Sequence, residues 1–312
     1  MMWLRKSWRH FWFEPALPLN LGLCRMIFFG ALFLFYLPQD FSAWAEVSDV
    51  FWKPIGLFRH LHLPVLSENH LTIIQILWKV SLGLSCIGLF TRVSTVTSFI
   101  LGIYLIGLPH NFGKIHHDDA ILVFVLGILA LSWCGDSWSV DQLILKARRE
   151  NNLSFKCKRM SGEYTWPIRA IWLVMALIFF AAGTSKIIHS GIEWAFSDNL
   201  MLLFIQHNYY LSDGDPLTSW GLILAQYSWL CRMLAAATIV LETGYPMALF
   251  SSKARLIVVP SVFLMLVSIR VFMGPAFEQL MICNIFWVPW DRVVFWFSPK
   301  LGIIAKVNRM YL

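Results

Sequence analysis

The sequence predicts an all-α, polytopic integral membrane helical bundle of about eight spans, with both termini on the cytoplasmic side. Three observations predict it. Only 14% of the 312 residues are charged and 58% are hydrophobic, whereas a soluble domain carries about a quarter charged residues. The chain holds 16 tryptophans and 25 phenylalanines, and aromatic residues favour membrane–water interfaces. Apolar runs close to the roughly 20 residues needed to cross a bilayer recur along the chain, and Lys and Arg alternate between them.

The elements follow in chain order. The N-terminal arm, 1–18, is short and basic, with Arg5, Lys6 and Arg9. The first apolar run starts near Leu19, holds Arg25 and has no small-residue cleavage site. It therefore reads as a retained span, not a cleaved signal peptide. Spans are expected near 19–37, 72–90, 94–109, 119–134, 167–186, 229–250, 254–272 and 276–297. The third and fourth are short, and Pro289 interrupts the eighth. Two apolar stretches, 196–206 and 216–227, are too short to cross and read as interfacial.

Orientation comes from Lys/Arg bias. Arg92, the loop 135–166 (Lys146, Arg148, Arg149, Lys156, Lys158, Arg159), Lys253, Arg255 and the tail (Arg292, Lys300, Lys306, Arg309) all fall on the side of the N-terminal arm. Residues 187–228 hold no Lys or Arg but carry Glu193, Asp198, Asp213 and Asp215. The whole chain, 1–312, reads as one membrane domain, multi-pass in a bacterial inner or plasma membrane, with 135–166 as a cytoplasmic tether.

The net charge of +7 does not point to nucleic acid, because the basic residues are spread over short loops rather than gathered on one module. None of the six cysteines forms a Cys-x-x-Cys pair, which argues against a thiol–disulfide oxidoreductase.

Four polar features interrupt the apolar runs. The first is a knot, His110-Asn111-Phe112-Gly113-Lys114-Ile115-His116-His117-Asp118-Asp119, on the non-cytoplasmic face. Ionisable groups at membrane depth are costly and mark functional sites by default. On a helix starting near Ile115, His116 and Asp119 would share a face. Asp118 or Asp119 would equally serve as a cap for the fourth span. A metal held by His116, His117 and Asp119 is the alternative, though the spacing matches no specific metal motif, and no metal is expected.

The second feature is Lys186, after Ala181-Ala182-Gly183-Thr184-Ser185. Small residues permit close helix packing, and a desolvated lysine becomes a base. A lysine that merely snorkels to the headgroups is the other reading. The third is Glu242, well inside the sixth span, which needs a partner or a polar cavity. Arg25, Arg169 and Arg232 are the candidates. The fourth is Arg270 with Glu278, either a pair or substrate ligands.

Several of these segments together resemble one family. Leu21-Gly22-Leu23-Cys24-Arg25, the stretch from Lys114-Ile115-His116-His117 to Ser132-Trp133-Cys134-Gly135-Asp136, Ala182-Gly183-Thr184-Ser185-Lys186 with Gly191-Ile192-Glu193-Trp194, and Leu241-Glu242-Thr243-Gly244-Tyr245-Pro246 resemble, in order, segments of the HTTM (horizontally transferred transmembrane) family. That family is related to the membrane domain of vitamin K-dependent gamma-carboxylases, and the resemblance spans roughly residues 15–297.

The resemblance implies a lyase-type, quinol-linked carboxylation and epoxidation chemistry at the non-cytoplasmic face. The cofactor would be a reduced, vitamin K-like quinone. Lys186 would match the lysine base, and His117 the histidine before the fourth span. His110, His116, Glu242, Arg270 and Glu278 would face substrate or quinone. The place of the carboxylases' Phe-His pair reads Phe263-Leu264 here, and their large lumenal domain has no counterpart. The implied partners are membrane lipid and a secreted peptide or protein substrate. Two other readings stand beside this one. The first is a non-enzymatic membrane partner in the maturation of secreted or antimicrobial peptides. The second is a haem or metal protein using His110, His116 and His117.

Overall fold

A computed structural model describes residues 2–113, 118–149, 160–209 and 216–297. Within them the regular structure is helix. The α-helices are α1 (Met2–Phe13), α2 (Pro18–Tyr36), α3 (Gly56–His60), α4 (Glu68–Ile87), α5 (Thr91–Gly107), α6 (Asp119–Leu131), α7 (Val140–Arg149) and α8 (Trp166–Ser190). They continue with α9 (Glu193–Phe196), α10 (Asn199–Tyr209), α11 (Trp220–Ala225), α12 (Ser228–Gly244), α13 (Met247–Phe250), α14 (Ser252–Phe272), α15 (Glu278–Cys283) and α16 (Trp290–Phe297). No strand forms among the described residues, and the one β-bridge joins Ala16 to Ser161.

Five segments are long and apolar enough to cross a membrane: Pro18–Tyr36, Glu68–Ile87, Thr91–Phe112, Gly162–Ser190 and Ser252–Phe272. Glu278–Trp287 and Trp290–Phe297 qualify as a pair but bend by 65°. The break falls at Val288-Pro289, where proline lacks the N–H that a continuous helix needs. The expected fourth and sixth spans are helical but short: α6 has 13 residues and α12 has 17. These lengths and compositions suit an integral membrane protein.

The chain forms two compact units, one of residues 1–171 with 288–312 and the other of 172–287. In the first, α2 packs on α4, α4 on α5 and α5 on α6. The outward faces of these helices are apolar, and the inward faces mix polar with apolar residues. On α4, Ile73, Ile76, Leu77 and Val80 are exposed, while Gln75, Ser81 and Ser85 are buried beside Leu71, Trp78 and Leu82. On α5, Val93, Val96 and Ile100 face outward and Thr91, Ser94, Thr95 and Ser98 inward.

Lipid is as apolar as a leucine core, so small and polar residues take the helix interface. Ser81 Oγ and Ser98 Oγ lie 2.8 Å apart, and the Trp78 indole N–H donates to the Ser98 carbonyl at 2.9 Å. Gly102 leaves room for that indole, since a Cβ there would come within 3.2 Å of Trp78 Nε1.

One end of this unit is closed by Asp141. No side chain of the local sequence caps α5. Instead the Asp141 carboxylate accepts from Phe90 N (2.8 Å), Thr91 N (2.8 Å) and the Thr91 hydroxyl (2.7 Å). Asp141 N donates to Gly88 O at 3.0 Å, at the left-handed turn that ends α4. Arg92 donates to the Ala130 and Ser132 carbonyls at the end of α6. Fully buried Arg25 donates from Nη2 to the Trp138 carbonyl.

The other end is covered by residues 37–66. Gln75 accepts from Phe41 N and donates to Asp40, and Trp44 and Trp52 pack on Phe112.

In the second unit, α10 packs on α11, α9 on α12 and α12 on α14. Near the start of α14, the Arg255 guanidinium lies over Trp172 (4.2 Å) and Trp287 (5.5 Å), whose rings stack 4.4 Å apart.

Candidate functional site

The second unit holds the arrangement with the most chemical potential. The apolar run of α8 gives way at Phe180 to Ala181, Ala182 and Gly183. A Cβ on Gly183 would lie 2.8 Å from Thr243 Cγ2, 2.9 Å from Glu242 Cβ and 2.9 Å from Thr243 N. Only glycine therefore lets α8 approach α12 this closely.

Less than one turn later on α8, Lys186 Nζ donates to both carboxylate oxygens of Glu242, at 2.9 and 2.7 Å. The Glu242 side chain is 8% exposed and that of Lys186 24%. The ammonium also lies over the Trp194 ring, 5.4 Å from its centroid, a cation–π contact. Glu242 sits roughly 21 Å along α12 from its first residue, at ~1.5 Å rise per residue. That places it in the last turn of α12, two residues before the helix ends at Gly244, and not deep inside a span as the apolar run suggested.

Glu242 does find a cation, as its burial requires, but none of the three expected arginines. Arg25 is bound to the Trp138 carbonyl, Arg169 pairs with Glu14 (3.2 Å) and Arg232 pairs with Asp198 (3.0 Å). Asp198 also accepts from the Ser228 hydroxyl at 2.7 Å. That bond, followed by Arg232, holds its carboxyl below the ordinary range. Arg270 donates to the Gly274 carbonyl at 2.7 Å, closing the end of α14, while Glu278 opens α15.

The polar knot divides. Lys114, Ile115, His116 and His117 lie outside the described residues, so the expected roles of His116 and His117, catalytic or metal-binding, fall there too. His110 Nε2 lies 3.3 Å from Asp119 Oδ2, giving Asp119 a neighbour nine residues upstream. Asp118 occupies the N-cap of α6 but makes no side-chain capping bond. Among the described residues, no three His, Cys, Asp or Glu side chains converge as a metal site would need.

Asn111 is the residue that sequence reasoning passed over. It is 1% exposed. Its Oδ1 accepts from Ile55 N at 2.8 Å, its Nδ2 donates to Gly107 O at 2.8 Å, and its carbonyl accepts from Lys53 N at 2.8 Å. The knot therefore anchors the 37–66 segment as well as turning the chain. Asn111 sits four residues after the end of the apolar helix α5, in a turn that begins at Pro109, and that was the available signal.

Trp194 and Asp141 were likewise visible in the sequence without a role. A scan of protein-family models and searches of curated proteins and solved structures found no match to this chain.

Proposed function

We propose that this chain is a multi-pass membrane enzyme whose reactive centre is the Lys186–Glu242 pair. The proposed reaction is quinol-linked and carboxylase-like, as the HTTM-like segments imply. The observation that carries this reading is the pair itself: a buried carboxylate holding a lysine that keeps part of its surface open beside an indole. Ionisable groups buried within a bundle of apolar helices are costly and by default functional.

The residues suit a hydroxyl-bearing aromatic head group. Lys186 offers a donor, Glu242 an acceptor and Trp194 an apolar face. A reduced quinone would supply an acidic hydroxyl and two electrons, and dioxygen would be the oxidant that takes them up as the epoxide forms. Glu242 is placed to take a proton at a carboxylate oxygen. Lys186 then stays charged and faces the negative charge left behind, which is electrostatic stabilisation in a low-dielectric site. His117 would belong to the same reaction as an orienting group. Leu264, where the family carries histidine, directs the proposal to a related quinone or lipid substrate. A secreted peptide or protein is the other substrate class.

The apolar outward faces of α4 and α5 and the five span-length segments support a chain that crosses the membrane several times. The full proposal is eight crossings with both termini cytoplasmic, which tags at each terminus would test by one-sided accessibility.

The test of function is quinone epoxide formation in membranes, measured for the unmodified chain, Lys186→Met and Glu242→Gln. Loss in both variants with retained expression supports the reading; undiminished epoxide in either ends it. A second reading has its own observation. The close fit at Gly183 makes the pair a pin between α8 and α12, without chemistry. A charge-swapped Lys186→Glu/Glu242→Lys protein would keep a pin and lose a catalytic site.

A further inference from the structure

At the Asp141 end of the first unit, charged groups of both signs have internal partners: Asp141 at Phe90 and Thr91, Asp136 at the Tyr164 hydroxyl (2.8 Å), Glu14 at Arg169, and Arg92 at the Ala130 and Ser132 carbonyls. Helix α7 begins at this end.

At 100° per residue Val140, Leu143, Ile144 and Ala147 fall on one stripe, and Lys146 and Arg148 flank it on its two sides. Leu143 is 66% exposed and Ile144 38%, and Lys146 and Arg148 are exposed as well. A soluble protein would bury such a stripe. Here the N-terminus of α7 is fixed by Asp141 to the ends of α4 and α5. Both of those are helices of membrane-crossing length, so the apolar stripe is held where crossing helices end. A short helix with an apolar stripe and basic flanks fits the plane of a lipid interface, with its cations at headgroup level.

We infer that α7 is a docking surface for anionic phospholipid headgroups of the adjoining leaflet, with Leu143 and Ile144 seated among acyl chains and Lys146 and Arg148 on the phosphates. Charge complementarity selects the occupant, because each Lys or Arg near an anionic membrane surface gains attraction. The inference rests on the membrane reading above but not on the enzymatic one.

The experiment is backbone hydrogen exchange of the full chain in nanodiscs, either of phosphatidylcholine alone or with phosphatidylglycerol added. With phosphatidylglycerol, α7 is expected to exchange about 30-fold more slowly, from two cations at about 1 kcal/mol each. Lys146→Gln/Arg148→Gln should abolish that difference. Equal exchange of α7 in both discs overturns the inference. So does slowing that depends on a co-purified protein and vanishes in the purified chain. Protection of α2 in the same data reports separately on the membrane reading. Rapid exchange there would overturn that reading and this inference with it.

Discussion

Removing one partner of the Lys186–Glu242 pair should destabilise the protein asymmetrically. Breaking a buried ion pair from one side costs about 3–5 kcal/mol, because the remaining charge is left uncompensated. The two sides differ here in exposure, 8% for Glu242 against 24% for Lys186. Lys186→Met strands the more buried group and should approach the full penalty, about 3 kcal/mol. Glu242→Gln leaves an ammonium that is already part-exposed, lies over Trp194 and keeps the amide oxygen as an acceptor. About 1–2 kcal/mol is expected there, the range for a hydrogen bond to a charged group weakened rather than removed.

Lys186→Met/Glu242→Gln removes both charges and leaves neither uncompensated. The double variant should therefore be more stable than Lys186→Met alone, with a coupling of about 2–3 kcal/mol, within the range seen for contacting residues. The assay is thermal or denaturant unfolding of the four proteins in one detergent. Additive effects, or a double variant less stable than both single ones, would refute the argument, because they would mean that the two groups do not share one interaction.

Other consequences are as direct. Gly183→Ala should cost about 1–3 kcal/mol through overpacking, since its Cβ would meet the backbone nitrogen of Thr243 at 2.9 Å; a lowered Tm measures it, and an unchanged Tm contradicts the close approach. Asn111→Ala removes the acceptor of the Ile55 N–H and the donor to the Gly107 carbonyl, two part-buried hydrogen bonds, with a cost of about 1–2 kcal/mol at roughly 1 kcal/mol each. Limited proteolysis should then cut 37–66 faster.

Asp141 gives a pH signature. Burial opposes its ionisation, but donors from Thr91 and Phe90 outweigh burial and hold its carboxyl below the ordinary value. Its contribution is therefore fully present above the unfolded carboxylate pKa of about 3.9 and is lost as pH falls through the lower folded value. Asp141→Asn should be less stable at pH 7 by about 1 kcal/mol, the net worth of a typical hydrogen bond. The gap to the unmodified protein should shrink below about pH 4, and a gap independent of pH would contradict the capping role.

Much of the architecture was legible because it depends on composition along short windows. Helical apolar runs, the break at Pro289 and the small residues before Lys186 are all local signals, and local signals survive without a fold. The span count was less legible. α12 ends at Gly244 before a Tyr-Pro step, and hydropathy alone carries the run on to Phe250.

The sequence by itself determined that this chain is helical and apolar enough for a membrane, and that Lys186 and Glu242 were costly groups needing partners. Only the tertiary structure decided that each is the other's partner. They lie 56 positions apart in the chain, and three arginines competed for Glu242 on equal terms until distances separated them. The same holds for Asp141, which caps a helix about 50 residues upstream, and for Asn111, which closes a loop 56 positions away. Burial creates a demand for a partner that composition can reveal. Which group meets that demand is a matter of a few ångströms between distant segments, and that is fixed only when the helices pack.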